Sequence, residues 1–319
     1  MFKWKKKGLI WAPSLNNEWA QEYGQNPNAV VLGDRIRIYF SGRKKQKDNK
    51  YISYIFFVDV ERSNPSKIIA VHDKPILNTT GKGEPGCFDE FGTMPGSVLW
   101  REDIQEMWLY YVGWQRSNTL PYMWANGLAI SKDRGVTFEK VREGPIVSSV
   151  YKYPYLHACP RVFNYGENNW FMWYASGVEW YECENRLNPI YVIMPAKSND
   201  GLHWQLSEQP CIPPVYSKEC QSGASVLEYG GLYHMFFSYR NVATLRDEQK
   251  QYRIGHAWSE NLTDWHRDNS QAGLDVSLSG WDSEAVCYPH VVRVDDKTYM
   301  FYSGNKFGCS GFGYAELEG

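Results

Sequence analysis

The sequence predicts an all-β fold: five blades of four antiparallel strands, closed into one propeller domain over residues 1–319. Three observations predict it. A short phrase recurs five times: Asn26-Pro27-Asn28-Ala29-Val30, Met94-Pro95-Gly96-Ser97-Val98, Cys159-Pro160-Arg161-Val162-Phe163, Ser222-Gly223-Ala224-Ser225-Val226 and Tyr288-Pro289-His290-Val291-Val292. Its anchors Pro27, Pro95, Pro160, Gly223 and Pro289 stand 68, 65, 63 and 66 residues apart. A near-constant period of this size marks a repeat architecture. Each phrase is followed by an alternating aromatic segment, the signature of a half-buried strand. Finally, the last repeat stops one strand short, while the N-terminus offers a strand with no partner of its own.

Within each repeat the phrase supplies the innermost strand. The second strand is Arg35-Ile36-Arg37-Ile38-Tyr39-Phe40 in the first repeat, and Met107-Trp108-Leu109-Tyr110-Tyr111, Trp170-Phe171-Met172-Trp173-Tyr174, Tyr233-His234-Met235-Phe236-Phe237 and Tyr299-Met300-Phe301-Tyr302 in the others. Each ends at small residues such as Ser41-Gly42 or Ser303-Gly304. Third strands follow at Gly127-Leu128-Ala129-Ile130-Ser131, Ile193-Met194-Pro195-Ala196-Lys197-Ser198 and Ile254-Gly255-His256-Ala257-Trp258-Ser259. A turn rich in Asp, Asn and Gly then leads to an aromatic that opens the fourth strand, since those residues tolerate positive φ. The fifth repeat ends after Gly311-Phe312-Gly313-Tyr314-Ala315-Glu316, and the segment from Phe2 to Trp11 is placed to complete it and protect its edge.

Bulk properties exclude several classes. Net charge is −2, so no global basic field draws the protein to nucleic acid. No apolar run approaches the roughly 18–20 residues of a membrane helix. The basic N-terminus has its apolar run cut off at Pro13, short of a secretory h-region. Seven cysteines, without a CxxC pair, favour reduced thiols and a cytoplasmic setting. Histidines lack metal-ligand spacing, and the glycine-rich stretch at residues 81–86 has no following helix to cradle phosphate, so neither metal nor cofactor is expected. The charged run at residues 44–50 reads as a solvated hairpin tip, and the aromatic, acidic residues 179–186 as a long loop able to rim a site.

In a propeller, positions around the start of every innermost strand converge on one axis. Those positions offer Glu22, Asn26 and Asn28, then Asp89 and Glu90, then His157 and Arg161, then Lys218, Glu219 and Ser222, and lastly Asp282, Glu284 and His290. Carboxylates converging in an aromatic-lined funnel suit glycosyl transfer: one donates a proton to the leaving oxygen while another stays charged. Asp89, Glu219 and Glu284 are the candidate catalytic acids of a carbohydrate-active enzyme that hydrolyses or transfers a glycosidic bond. Asn26, Asn28, Glu90, His157, Arg161, Arg240, Asp282 and His290 are the candidate substrate-binding residues.

The five-fold pattern resembles the five-bladed propeller glycosidases: the arabinanase and xylosidase, invertase and levansucrase, and mannoside-phosphorylase groups. Asn26-Pro27-Asn28 is similar to the invertase-type Asn-Asp-Pro-Asn phrase, whose Asp precedes the proline. Here that position is Asn26, and an amide serves neither as base nor as nucleophile. The resemblance implies an oligosaccharide or glycoside substrate. The phosphorylase group implies phosphate or a sugar phosphate as co-substrate, clamped by Arg161, Arg240, His157 and Lys218, because bidentate Arg matches phosphate geometry. A glycan-binding propeller without catalysis is the third reading that the loss at Asn26 permits. The turn at Ser131-Lys132-Asp133-Arg134-Gly135-Val136-Thr137 resembles the sialidase Asp-box, a structural hairpin.

Overall fold

A computed structural model describes residues 1–78, 83–166, 168–244 and 250–318. Residues 81 and 82 of the glycine-rich stretch lie outside them. In chain order the strands are β1 (Trp4–Trp11); β2 (Glu22–Leu32), β3 (Arg35–Lys45), β4 (Tyr51–Glu61) and β5 (Ile68–His72); β6 (Thr93–Arg101), β7 (Glu106–Gln115), β8 (Met123–Ser131) and β9 (Glu139–Lys140); β10 (His157–Asn164), β11 (Trp170–Cys183), β12 (Arg186–Ser198) and β13 (Gln205–Leu206); β14 (Glu219–Tyr229), β15 (Leu232–Asn241), β16 (Arg253–Ser259) and β17 (His266–Arg267); and β18 (Cys287–Val294), β19 (Lys297–Ser303) and β20 (Phe312–Leu317). They form five four-stranded antiparallel sheets, the fifth in the order β1-β20-β19-β18. The fold is therefore the five-bladed propeller that the period predicts, and β1 closes the last blade by pairing Trp4 with Leu317 and Trp11 with Phe312.

The recurring phrase has a specific backbone meaning. Register shifts interrupt the innermost pairing of every blade at that point, between Gln25 and Asn28, Pro95 and Ser97, Ala158 and Arg161, Ser222 and Ser225, and Cys287 and His290. Each shift is a β-bulge, which bends a strand and re-aims its side chains. Asn26, Cys159, Gly223 and Tyr288 hold positive φ there, at 60°, 49°, 63° and 53°. Glycine adopts that conformation freely, and the other three do so at a cost. Aromatic layers pack between blades: Trp108 stacks on Trp170, Phe163 meets Tyr233 edge-on, and Trp11, which lies on Phe312 of its own blade, also meets Phe40 of the next.

Two sequence expectations are refined. Residues 179–186 do not form a loop. The hairpin of β11 and β12 runs through them, pairing Trp180 with Pro189 and Tyr181 with Asn188, and only Glu184 and Asn185 turn. The Asp-box-like segment is structural as expected. The Asp133 carboxylate accepts from Ser131 Oγ, Val136 N and Thr137 N, which ties the hairpin to itself. Among the described residues no helix is long and apolar enough to cross a membrane.

Candidate functional site

The five bulges deliver one patch of wall each to a cavity of about 230 Å³ on the propeller axis. Gln25 and Asn26 come from β2, Met94 from β6, Ala158 and Cys159 from β10, Ser222 from β14 and Tyr288 from β18. Above this floor stand residues that follow the small-residue ends of second strands. Arg43 follows Gly42, Trp114 follows Gly113, and Arg240 lies two residues past Ser238. Tyr23, Tyr122, Trp124, Tyr191 and Phe307 complete the wall.

The wall is aromatic and cationic. Tyr122 stacks on Trp124 with centroids 4.5 Å apart, and Trp114 meets Trp124 edge-on at 5.0 Å. Flat rings of this kind suit the apolar face of a sugar, and their indole N–H groups suit its hydroxyls. The Nε1 atoms of Trp114 and Trp124 are buried without a partner. Arg43 lies over Tyr23 at 4.1 Å and donates to Gln25 Oε1 at 2.8 Å. Arg240 lies between Tyr252 and Phe307, at 5.2 and 5.1 Å. Their Nε atoms are also buried and unpartnered. Among the described residues neither arginine forms an ion pair, and no carboxylate lines the cavity. Phe307 reaches it from a short turn, Asn305–Gly308, in which Lys306 and Phe307 hold positive φ.

Beneath the floor lies a polar knot. Arg161 donates to Asn28 Oδ1 at 2.5 Å and to Asn26 Oδ1 at 2.7 Å, and its Nη1 stands 3.3 Å from His290 Nδ1. The Asn26 amide donates to the Pro95 carbonyl. His290 Nε2 lies 3.0 Å from the Ala29 carbonyl, so that nitrogen carries the proton and Nδ1 accepts from Arg161. Burial first, and then the Arg161 charge, push the His290 pKa down to about 3. Burial likewise pulls Arg161 down to about 10, which leaves it charged at neutral pH.

The structure separates the expected site residues into groups. Asn26 and Arg240 line the axial cavity. Asn28, Arg161 and His290 form the knot below. His157 is fully buried with its ring 5.5 Å from Tyr174, and burial lowers its pKa to about 4. The acids stand elsewhere. Asp89 is fully buried against Lys140, 2.9 Å away, and accepts from Tyr111 Oη at 3.2 Å. Glu219 accepts from Arg267 at 2.7 Å, Gln221 Nε2 at 2.9 Å and Val215 N at 2.8 Å. Asp282 accepts from Lys6 at 2.7 Å and Tyr302 Oη at 2.9 Å. Glu90 accepts from Gly86 N at 3.0 Å. Glu284 is exposed, its amide donating to Asn305 Oδ1 at 2.7 Å. Lys218, expected in a phosphate clamp, pairs with Glu179 at 2.5 Å.

Sequence reasoning missed Arg43, Trp114, Tyr122, Trp124, Tyr191 and Tyr288. A signal existed for two of them: Gly42-Arg43 and Gly113-Trp114 hold the same place in their repeats, directly after the small-residue stop. Among the described residues no three His, Cys, Asp or Glu side chains are grouped to hold a metal ion.

No protein-family model matches the chain. Two Mycobacterium tuberculosis proteins, Uncharacterized protein MT1551 and Uncharacterized protein Rv1502, are each 33% identical to it over 317 residues, which cover 99% of this chain and 99% of theirs. Beta-1,2-mannobiose phosphorylase of Thermoanaerobacter sp. is 27% identical over 112 residues, 31% of this chain and 36% of the relative. A solved structure described as "Glycoside hydrolase" matches with a TM-score of 0.74 at 16% identity, over 98% of this chain and 90% of its own. Another, from the GH130 family of mannoside phosphorylases and glycoside hydrolases that target β-1,2 mannosidic linkages, matches with a TM-score of 0.71 at 15% identity, over 99% and 94%. The shared feature is the propeller fold of glycoside hydrolases and mannoside phosphorylases.

Proposed function

The chain belongs to the family of the two Mycobacterium tuberculosis proteins, and from that premise we propose a carbohydrate-active enzyme that holds a sugar and an anionic group together in the axial cavity. The reaction class is glycoside phosphorolysis, or transfer from a sugar phosphate. One observation carries this reading: Arg43 and Arg240 face the same aromatic cavity with no carboxylate to pair with among its described lining residues. Two unpaired guanidinium groups suit phosphate, which accepts bidentate hydrogen bonds. The relative described as a mannobiose phosphorylase supports the same class.

In phosphorolysis a phosphate oxygen attacks the anomeric carbon, the glycosidic C–O bond breaks, and the leaving oxygen takes a proton. No protein base is required, which fits an amide at Asn26. We assign the proton to Glu22. It flanks the cavity-lining Tyr23, stands in register with Arg43, and accepts from Tyr51 Oη at 3.1 Å. The exposed Glu284 is the alternative donor. Asp89 and Glu219, held in ion pairs away from the cavity, on this reading hold the blades together and take no part in the chemistry. Seven unpaired cysteines support a reducing, cytoplasmic setting.

A second reading, a glycan-binding propeller without turnover, draws on the same lack of acids in the cavity. A panel of glycosides incubated with and without inorganic phosphate, read by mass spectrometry, separates the two. The proposal expects a sugar phosphate only when phosphate is present. It also expects at least about 100-fold less product from E22Q, the low end for a general acid. Product in water alone overturns phosphorolysis, and a retained but unconsumed sugar under both conditions favours the binding module. Loss in E284Q instead of E22Q moves the donor.

A further inference from the structure

The axis holds a second cavity, of about 210 Å³, lined by later residues of the same innermost strands: Ala29, Ser97, Arg161, Ser225 and His290, with Trp173 from β11. Arg161 separates it from the upper cavity. We propose that this lower cavity binds a small monovalent anion such as chloride against the Arg161 guanidinium. The site is distinct from the sugar pocket, and the proposal does not rest on the reaction assigned there.

Three donors aim the argument. Arg161 is 4% exposed, and its Nε is buried without a partner. Trp173 is 1% exposed, and its Nε1 is equally unpartnered. The two residues face each other across the β10–β11 ladder, so their side chains share one side of the sheet. Ser225 Oγ accepts from Val291 N at 2.8 Å, which leaves its hydroxyl proton to donate.

Charge supplies the driving force. The acceptors around Arg161 are Asn26, Asn28 and neutral His290, and among the described residues it has no carboxylate partner. A buried cation without a counterion is costly, and buried donors without acceptors add to that cost. An anion beside Nε offsets both at once. The rest of the wall is apolar: Val98, Leu99, Val162, Phe163, Val226 and Val292. Such walls favour a weakly hydrated halide over sulfate or phosphate, which bring more charge and need more donors than this cavity has. A bound anion would also fix the Arg161 fork that holds Asn26, the floor of the upper pocket.

The test exchanges the protein into sodium gluconate and titrates sodium chloride in its place at constant ionic strength, reading Tm. The expected result is a saturable rise of about 2–5 °C. Crystals soaked in sodium bromide are expected to show an anomalous peak beside Arg161 and Trp173. Replacing Trp173 by Phe keeps the ring and removes one donor, so the half-saturating chloride concentration should rise about tenfold. Equal Tm in chloride and gluconate overturns the proposal, as does bromide confined to the surface. An unchanged midpoint in W173F removes Trp173 from the site.

Discussion

Two sets of charged side chains occupy this propeller on opposite terms. In the blades, acids meet cations: Asp59 with Arg37 at 2.8 Å, Asp89 with Lys140 at 2.9 Å, Glu219 with Arg267 at 2.7 Å and Asp282 with Lys6 at 2.7 Å. All four carboxylates are buried, Asp59 and Glu219 on strands and Asp89 and Asp282 in turns, and each is tied to a cation on a separate strand. On the axis, Arg43, Arg161 and Arg240 lack acidic partners among the described residues. The contrast teaches that charge in this fold is consumed where it pins strands together and left available where a ligand can complete it. A buried ion pair contributes little net stability but is expensive to break from one side. An unpaired cation at a cavity wall is instead poised to bind.

The largest expected effect tests the pinned set. Replacing Asp89 by Asn leaves half-buried Lys140 with only the exposed Glu143, 3.5 Å away, as a charged partner and should cost about 3 kcal/mol of stability, measured by denaturant unfolding. Turnover per folded molecule should change by less than about threefold. A stable D89N protein with turnover lost at least about 100-fold would make Asp89 a catalytic acid and erase the contrast.

Next is the unpaired set. Replacing Arg240 by Gln should lower phosphate-dependent turnover about 100-fold while unfolding is little changed, since the side chain has no ion pair among the described residues. A variant that unfolds instead would place Arg240 among the structural pins.

The third concerns pH. His157, buried, and His290, half-buried and desolvated beside Arg161, are neutral, with folded-state pKa values of about 4 and about 3 against an ordinary 6.5. Unfolding therefore takes up protons below pH 6.5. Stability is fully present above that value and falls with falling pH until about pH 4 for His157 and about pH 3 for His290. Replacing His157 by Gln should flatten the slope between pH 6 and 4.5 by up to about 1.4 kcal/mol per pH unit. An unaltered slope would mean that His157 is free to charge in the folded chain.

The smallest effect belongs to the aromatic wall. Replacing Trp124 by Ala should weaken saccharide binding about two- to tenfold, the range for one ring contact, with phosphate binding retained. Equal loss of both ligands would show that the wall shapes the whole pocket.

The blades were legible because period and alternation are local: the phrase at Pro160 and the run Trp170 to Tyr174 identify strands without outside help. The closing strand was legible too, from an end that lacked its fourth strand. The site was only half legible. Sequence phase pointed to the axis for Asn26, Asn28, Arg161 and His290, which lie at the axial cavity or in the knot beneath it. It could not tell that Asp89 turns toward Lys140, 51 residues away, because strand phase fixes the position of a residue but not its partner. Arg43 was hidden for the opposite reason. It adjoins the charged hairpin tip at residues 44–50, and composition alone assigns such a residue to solvent. Only the packing over Tyr23 of its own blade and Trp114 of the next turns it inward.

The central claim, that the axial arginines are reserved for an anionic ligand, is tested most directly by titrating inorganic phosphate and a hexose 1-phosphate into the wild-type protein and into R43Q and R240Q, followed by calorimetry. Saturable binding to the wild type, weakened about 100-fold or more in either variant with the fold intact by circular dichroism, is the predicted result. Binding of equal strength in all three proteins, or no binding of either ligand to the wild type, would contradict it.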